Sequence, residues 1–330
     1  MLDDAGLKRF NRDVMEYLGK SLQSSCVEVQ DKLDFLLDRQ GKLFRPSLVF
    51  LSSRICGGNL DVARRVAASC EMIHLASLVH DDIIDRASYR RGKETVASRF
   101  GEKTGVLIGD YLFSRAFGLL TPLESLGVLS TYTRTIEKMC EGEMIQMANT
   151  FNLNMEEKTY FRIIEFKTAW LLAASCKSGA QLSGAPAETT GSLSSFGFHI
   201  GRAFQMVDDI LDYVAFPFCG QKPRGQDLRE GIITLPLLKL LQLPEKFEVR
   251  EKVKQFWRAS NSEEIFLDLL KLFREEGGLE KALQAVEREI NLGLLNLRFL
   301  PPKKEVNLLA NISRKIQKQI SREKFSPVKI

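Results

Sequence analysis

Residues 78–93 read LVHDDIIDRASYRRGK, and residues 206–213 read MVDDILDY. Each stretch carries three aspartates spaced i, i+1 and i+4, set among Leu, Val, Ile and Met. On a helix the first and third share a face, so Asp81 sits one turn below Asp85 and Asp208 one turn below Asp212. Unpaired like charges at that spacing cost tenths of a kcal/mol per pair, and more where water is excluded. A hard cation removes the repulsion. Mg²⁺ takes a few carboxylate oxygens and fills its shell with water and substrate phosphate oxygens. One DDxxD arises by chance in on the order of one chain in ten of this length, and two in apolar helical frames in roughly a few per thousand. The pair is a signal where a lone copy is not.

The surrounding sequence is helical. Apolar residues recur every three or four positions over most of the 330 residues, and alternating strand-like runs are scarce. The pattern breaks at GKLFRP (41–46), ICGGN (55–59), LLTPLE (119–124), GAPAETT (184–190) and residues 216–231. Pro46 suits a first helical turn, where its missing N–H would go unpaired anyway. No repeat beyond the two clusters, no low-complexity linker and no composition shift marks a boundary. The expectation is one all-α domain over residues 1–330, a bundle of roughly ten or more helices around a central substrate cavity.

Composition excludes several classes. The chain is 44% hydrophobic and 27% charged, as soluble globular proteins are. The start, MLDDAGLKRF, lacks the apolar core of a secretory signal, and no uncharged run approaches a membrane span. Cysteines 26, 56, 70, 140, 176 and 219 lie far apart without a CxxC pair, which predicts reduced thiols and a cytoplasmic protein. Residues 301–330 hold eight Lys or Arg against Glu305 and Glu323, a net of +6 in a chain whose total is +5. That tail reads first as a solvated helix face and second as a peripheral contact for anionic lipid. There are no interleaved aromatics, zinc finger or basic recognition helix of a nucleic-acid binder.

A polyphosphate bridged by metal also needs direct cationic partners, with Arg for forked contacts and Lys as a point charge. Candidates at loops and helix ends are Lys42, Arg45, Arg90, Arg91, Lys167 and Lys222. Any one of them alone would be an ordinary surface residue. Arg90 and Arg91 follow Asp85 closely, however, and Lys222 follows Asp212 across a loop. His74 lies two helical turns before Asp81, which puts it on the aspartate face. His80 reads as support for its neighbours, His199 as packing, and Glu143 and Gln146 as bonds within the bundle.

With these pieces in place the chain resembles the trans-prenyltransferases, the all-helical isoprenyl diphosphate synthases, over nearly its whole length. The matching segments are GKLFRP, EMIHLASLVHDDIID, RRG, GDYLFSRAF, CEGEMIQ, FKTAWLLAAS, GRAFQMVDDILD and GQDLREGIITLPLL, in the family's order. The resemblance implies that Asp81, Asp82 and Asp85 bind Mg²⁺ and through it an allylic diphosphate. It implies that Asp208, Asp209 and Asp212 hold further Mg²⁺ on the same diphosphate, with Asp208 a direct ligand and about three ions per site. It assigns Arg90, Lys167 and Lys222 to the allylic diphosphate, and Lys42, Arg45, His74 and Arg91 to isopentenyl diphosphate. Thr168 and Gln205 match positions whose oxygens lie near the developing carbocation. Such an enzyme ionises the allylic substrate, condenses it with isopentenyl diphosphate and loses a proton to the released diphosphate. No Ser–His–Asp set is then required. Three departures stand out: Gln221 where the family has Gly, Ile232 where several members carry Lys, and Trp170 where a smaller side chain is usual.

Product length is expected to depend on residues one turn before Asp81, which are the small Ala76 and Ser77. The family's short-chain enzymes place a bulky aromatic there, so a long product of hexaprenyl to octaprenyl size, used for quinone side chains, is expected, with farnesyl- or geranylgeranyl-type synthesis as the alternative. Phe113 and Phe117 are candidates for the channel floor. A terpene cyclase is disfavoured because the second DDxxD is intact, and a non-catalytic regulatory subunit because all six aspartates remain. Expected partners are the two substrates and either a second copy of the chain or a small subunit.

Overall fold

The computed structural model describes residues 5–37, 43–90, 92–214, 225–243, 246–259 and 262–322. The all-α expectation holds: among the described residues there are sixteen α-helices and one hairpin of two two-residue strands. In chain order these are α1 (Ala5–Ser21), α2 (Val27–Leu37), α3 (Phe44–Ile55), α4 (Leu60–Ile84), β1 (Tyr89–Arg90) and β2 (Lys93–Glu94), α5 (Val96–Phe100), α6 (Glu102–Leu120) and α7 (Leu126–Ala148). There follow α8 (Glu157–Ile164), α9 (Trp170–Gln181), α10 (Ala187–Val214), α11 (Gln226–Arg229), α12 (Leu235–Leu241), α13 (Lys246–Arg258), α14 (Glu263–Glu275), α15 (Gly278–Leu297) and α16 (Lys304–Arg322).

These elements group into two compact units. The first comprises residues 1–136, 171–197 and 296–311, and the second residues 137–170, 198–295 and 312–330. The five boundaries fall inside α7, α9, α10, α15 and α16, so neither unit is one continuous stretch of sequence.

In the first unit α4 is the central helix. The Asn59 side chain caps it, its Oδ1 accepting from the N–H groups of Asp61 (2.7 Å) and Val62 (3.4 Å). Ala63, Val66, Ala67, Cys70, Met72, Ile73, Ala76 and Val79 are all buried, so the helix is covered on most sides. The α6 helix returns along it at close range. A Cβ on Gly105 would collide with Ile83 and one on Gly109 with the His80 ring, while Ser69 Oγ donates to the Ala116 carbonyl at 3.0 Å. By length and composition, Glu102–Leu123 would suffice to cross a membrane, yet these contacts tie α6 to α4.

The second unit is organised around a break in helical geometry. Between α8 and α9 the chain makes a π-helical turn, Glu165–Ala169, with the looser i→i+5 spacing that tends to occur at functional sites. Two glycines let neighbouring helices press on it. A Cβ on Gly201 would lie 2.5 Å from Ala169 Cα, and one on Gly142 would lie 3.1 Å from the Lys167 amide nitrogen. Tyr213, Phe256, Phe266 and Phe273 form the unit's aromatic core, with Tyr213 and Phe273 centroids 4.7 Å apart. All five described cysteines are free. Burial pushes the Cys70 thiol up to about 11 and that of Cys176 up to about 12, as for inert core thiols. Cys219 lies outside the described residues.

Candidate active site

The first aspartate cluster terminates α4. Asp81 and Asp82 occupy its last turn and Asp85 is the C-cap, its N–H donating to Asp81 O at 2.8 Å. The helix closes with a Schellman arrangement: Arg86 N donates to Ile83 O (3.1 Å) and Ala87 N to Asp82 O (2.9 Å). Arg86 fills the left-handed position, φ +50°, that glycine usually takes. Carboxylates at a helix C-terminus face the negative end of the macrodipole, a cost of roughly 0.3–1 kcal/mol each near the surface. The hairpin that follows supplies the opposite charge. Arg90 Nε lies 2.6 Å from Asp82 Oδ1, and Asp82 is 6% exposed while Asp85 is exposed.

The second cluster ends α10 differently. Asp209 is 3% exposed, and both its oxygens accept hydrogen bonds from neutral groups: Oδ2 from Tyr160 Oη at 2.6 Å and Oδ1 from Gln205 Nε2 at 2.9 Å. Burial pushes its carboxyl up to about 7; the two donors oppose that shift and the charges of Asp208 and Asp212 add to it. Burial also raises the Tyr160 hydroxyl well above the ordinary tyrosine range, so Tyr160 is the donor in this bond. Asp212 accepts the backbone amides of Gln226 and Asp227 at 3.1 Å each, which are the first amides of α11. Asp208 is on the exposed side.

The π turn connects to this cluster. Thr168 Oγ1 donates to Gln205 Oε1 at 2.8 Å, so Thr168, Gln205, Asp209 and Tyr160 form one hydrogen-bonded chain from α8 and the π turn to α10. Lys167, on the same turn, points its Nζ to Glu143 Oε2 at 2.5 Å. Tyr160 has no recognisable signal in the sequence, because its partner is 49 positions away. Glu143, read there as bonding within the bundle, makes its ion pair with Lys167. His199, read as packing, has Nδ1 2.9 Å from Glu289 Oε2.

In the first unit, Arg45 begins α3, and its charge is felt at Cys70 on α4, one turn before His74. Ala76 is fully buried, and Ser77 Oγ donates to the His74 carbonyl at 2.9 Å. The Phe113 ring lies 5.8 Å from that of His80, level with the last turns of α4. Phe117 follows one turn further along α6, beside Ala116 and its bond to Ser69, and so sits deeper along α4. Lys42, Arg91 and Lys222 lie outside the described residues.

The donors suit a hard cation. No three or more His, Cys, Asp or Glu side chains converge as a ready-made cage among the described residues. Carboxylate oxygens are hard donors of the kind that hold divalent cations.

Known proteins resemble this chain over most of its length. The polyprenyl synthetase family profile matches residues 27–270. The octaprenyl diphosphate synthase of Escherichia coli is 35% identical over 284 residues, which cover 84% of this chain and 86% of that enzyme. Component 2 of the heptaprenyl diphosphate synthase of Geobacillus stearothermophilus is 33% identical over 309 residues, 93% of this chain and 94% of that one. A crystal structure of polyprenyl synthase from Caulobacter crescentus, complexed with calcium and isoprenyl diphosphate, superposes with a TM-score of 0.86 at 29% identity, covering 94% of both chains. The chain belongs to the polyprenyl synthetase family and is a prenyltransferase of the long-chain trans-polyprenyl diphosphate synthase kind.

Proposed function

We propose that this chain, as one helical domain in the cytoplasm, extends an allylic diphosphate such as farnesyl or geranylgeranyl diphosphate with successive isopentenyl diphosphate units. The product proposed is hexaprenyl to octaprenyl diphosphate, for a quinone side chain. The observation that carries the chemistry is the bonded set Thr168–Gln205–Asp209–Tyr160 beside Lys167: a side-chain oxygen held in a fixed place next to a cation. Asp81, Asp82, Asp85 and Asp208 would hold Mg²⁺, which when bound neutralises charge on the departing diphosphate.

The remaining roles belong to side chains. Arg90 and Lys167 stabilise the leaving diphosphate, and Lys167 exchanges Glu143 for it on binding. Thr168 and Gln205 present oxygens to the developing cation without a nucleophile that would trap it. Arg45 and His74, with Lys42 and Arg91, orient isopentenyl diphosphate, and Lys222 joins Arg90 on the allylic diphosphate. The proton leaves to the released diphosphate.

Incubating the purified chain with farnesyl diphosphate, isopentenyl diphosphate and Mg²⁺, then sizing the products, tests this reading. Products of six to eight isoprene units support it (about 30–40 carbons, each unit being apolar surface to bury), and no Mg²⁺-dependent elongation sinks it. Ala76→Phe should shorten the product, since a side chain at a fully buried position has no solvent to swing into. An unchanged length removes Ala76, Ser77, Phe113 and Phe117 from the channel.

Assembly is part of the proposal. A relative named as component 2 of a synthase supports a heteromer, and the exposed Val106 (44%) and Leu107 (68%) on α6 give a second copy or a small subunit an apolar surface to cover. The basic tail is less suited to a membrane. On α16 the apolar side chains Leu309, Ile312 and Ile316 are buried in the protein and are not offered for insertion.

A further inference from the structure

A groove of about 810 Å³ lies wholly within the second unit, walled by α8, α10, α12 and α15, and none of its lining residues belongs to the site described above. That volume is within the range of small-molecule sites. Its lining is of two kinds. Phe161, Met206 and Leu292 contribute apolar surface, and Arg202, Lys239, Lys281 and Arg288 contribute positive charge.

The two carboxylates in the groove are already neutralised by the protein. Glu157 accepts from Lys239 Nζ (2.7 Å) and Gln242 Nε2 (2.6 Å). Glu289 meets Arg202 Nη1 at 3.1 Å and His199 Nδ1 at 2.9 Å. Lys281 and Arg288 are different. Both are exposed on α15, seven residues apart and so about 10 Å along the helix, and neither has an ion-pair partner among the described residues. Arg202 also has a buried Nε–H without a hydrogen-bond acceptor, the nearest carboxylate oxygen being 3.7 Å away on Glu165. The groove thus offers two uncommitted cations and an unsatisfied donor beside apolar walls. A metal cation would find no spare carboxylate, and one face of Phe161 already carries the Arg202 guanidinium, 4.4 Å from the ring centroid.

We propose that this groove binds an amphipathic anion, a phosphate or diphosphate ester bearing an apolar chain, as an effector. The ester would place its phosphate between Lys281 and Arg288 and its chain against Phe161, Met206 and Leu292. Occupancy is coupled to the second aspartate cluster through shared helices. Tyr160, the donor to Asp209, sits on α8 between Glu157 and Phe161, and α10 carries Arg202, Met206 and Asp209 itself. The effect on turnover rests on the prenyl-transfer reading, and binding does not.

The test uses the full chain in EDTA, so that Mg²⁺-dependent diphosphate binding is off, and dodecyl phosphate below its micelle concentration as the probe, read by calorimetry. Charge reversal at two exposed positions, Lys281→Glu with Arg288→Glu, should weaken binding about tenfold or more. The neutral block Gln284→Trp should do the same without touching charge. Inorganic phosphate should bind far more weakly than the ester; equal affinity would overturn the apolar half of the proposal. Cosedimentation with phosphatidic acid vesicles separates the sources. Vesicle binding lost in the double variant, without binding of soluble dodecyl phosphate, would overturn the effector role in favour of a membrane headgroup. Undiminished dodecyl phosphate affinity in both variants overturns the site. Turnover with Mg²⁺ but no effector should be unchanged in the double variant, and dodecyl phosphate should alter it only in the parent chain; if neither chain turns over, the binding arms still decide.

Discussion

The two aspartate clusters have the same spacing and the same position at a helix end, but they are stabilised by different physics. In the first, the buried middle carboxylate Asp82 is matched by a full charge, Arg90, delivered by a hairpin. In the second, the buried Asp209 is matched by two neutral donors, Tyr160 and Gln205, and its carboxyl is pushed up to about 7. The cap differs as well. A strained Schellman turn closes α4, whereas the amides of α11 satisfy Asp212. Equal sequence therefore does not mean equal protonation. The first cluster is built as an ion pair, and the second as a hydrogen-bonded relay to Thr168 in the π turn.

Six substitutions would break or sharpen this contrast. The largest effect is expected where the clusters act alike. Asp81→Asn and Asp208→Asn should each lower kcat by about 10²–10³ with little change in Tm, since each removes a carboxylate proposed to hold the Mg²⁺ that neutralises the departing diphosphate. A loss of activity in only one of them would mean that the clusters do not share a substrate. Next comes Arg90→Met, which removes the guanidinium 2.6 Å from the buried Asp82 carboxylate. Unfolding in urea should show a loss of roughly 1–3 kcal/mol, discounted from the cost of breaking a fully buried pair because Arg90 is 34% exposed.

Tyr160→Phe should cost about 1 kcal/mol, the value of a hydrogen bond to a buried carboxyl, and should lower kcat more than it raises KM by loosening Gln205 and Thr168. The same cluster carries the pH signature. Asp209's folded pKa is raised above the ordinary value near 4, so its contribution is fully present below about pH 4 and is lost as pH rises through about 7. Asp209→Asn should remove that component. In EDTA the variant's Tm should gain on the parent's between pH 5.5 and pH 8, and parallel curves would show that Asp209 titrates normally. The smallest effect concerns the cap. Arg86→Gly relieves a left-handed residue, φ +50°, and should stabilise by about 0.5 kcal/mol with kcat unchanged, as thermal unfolding would show.

Much of this was legible in the sequence. The i, i+3, i+4 apolar pattern gives the helices, because burial of a helix stripe is a local property of the chain. The paired DDxxD motifs give the carboxylates and the metal class, because ligand chemistry is set by residue type. The FKTAW segment draws attention to Lys167 and Thr168, which the structure puts on the π turn in contact with Glu143 and Gln205. What stayed hidden depends on long-range contact. Tyr160 meets Asp209 across 49 positions, His199 meets Glu289 across 90, and two other helices approach the π turn closely at Gly142 and Gly201.

The sequence by itself determined an all-helical chain with two carboxylate clusters and the cations to accompany them, since periodicity and residue type suffice for both. Only the tertiary structure decided which aspartate of each cluster is buried, which partner it has and therefore how readily it ionises. Desolvation and hydrogen bonding are set by the neighbours that packing brings, not by the neighbours along the chain.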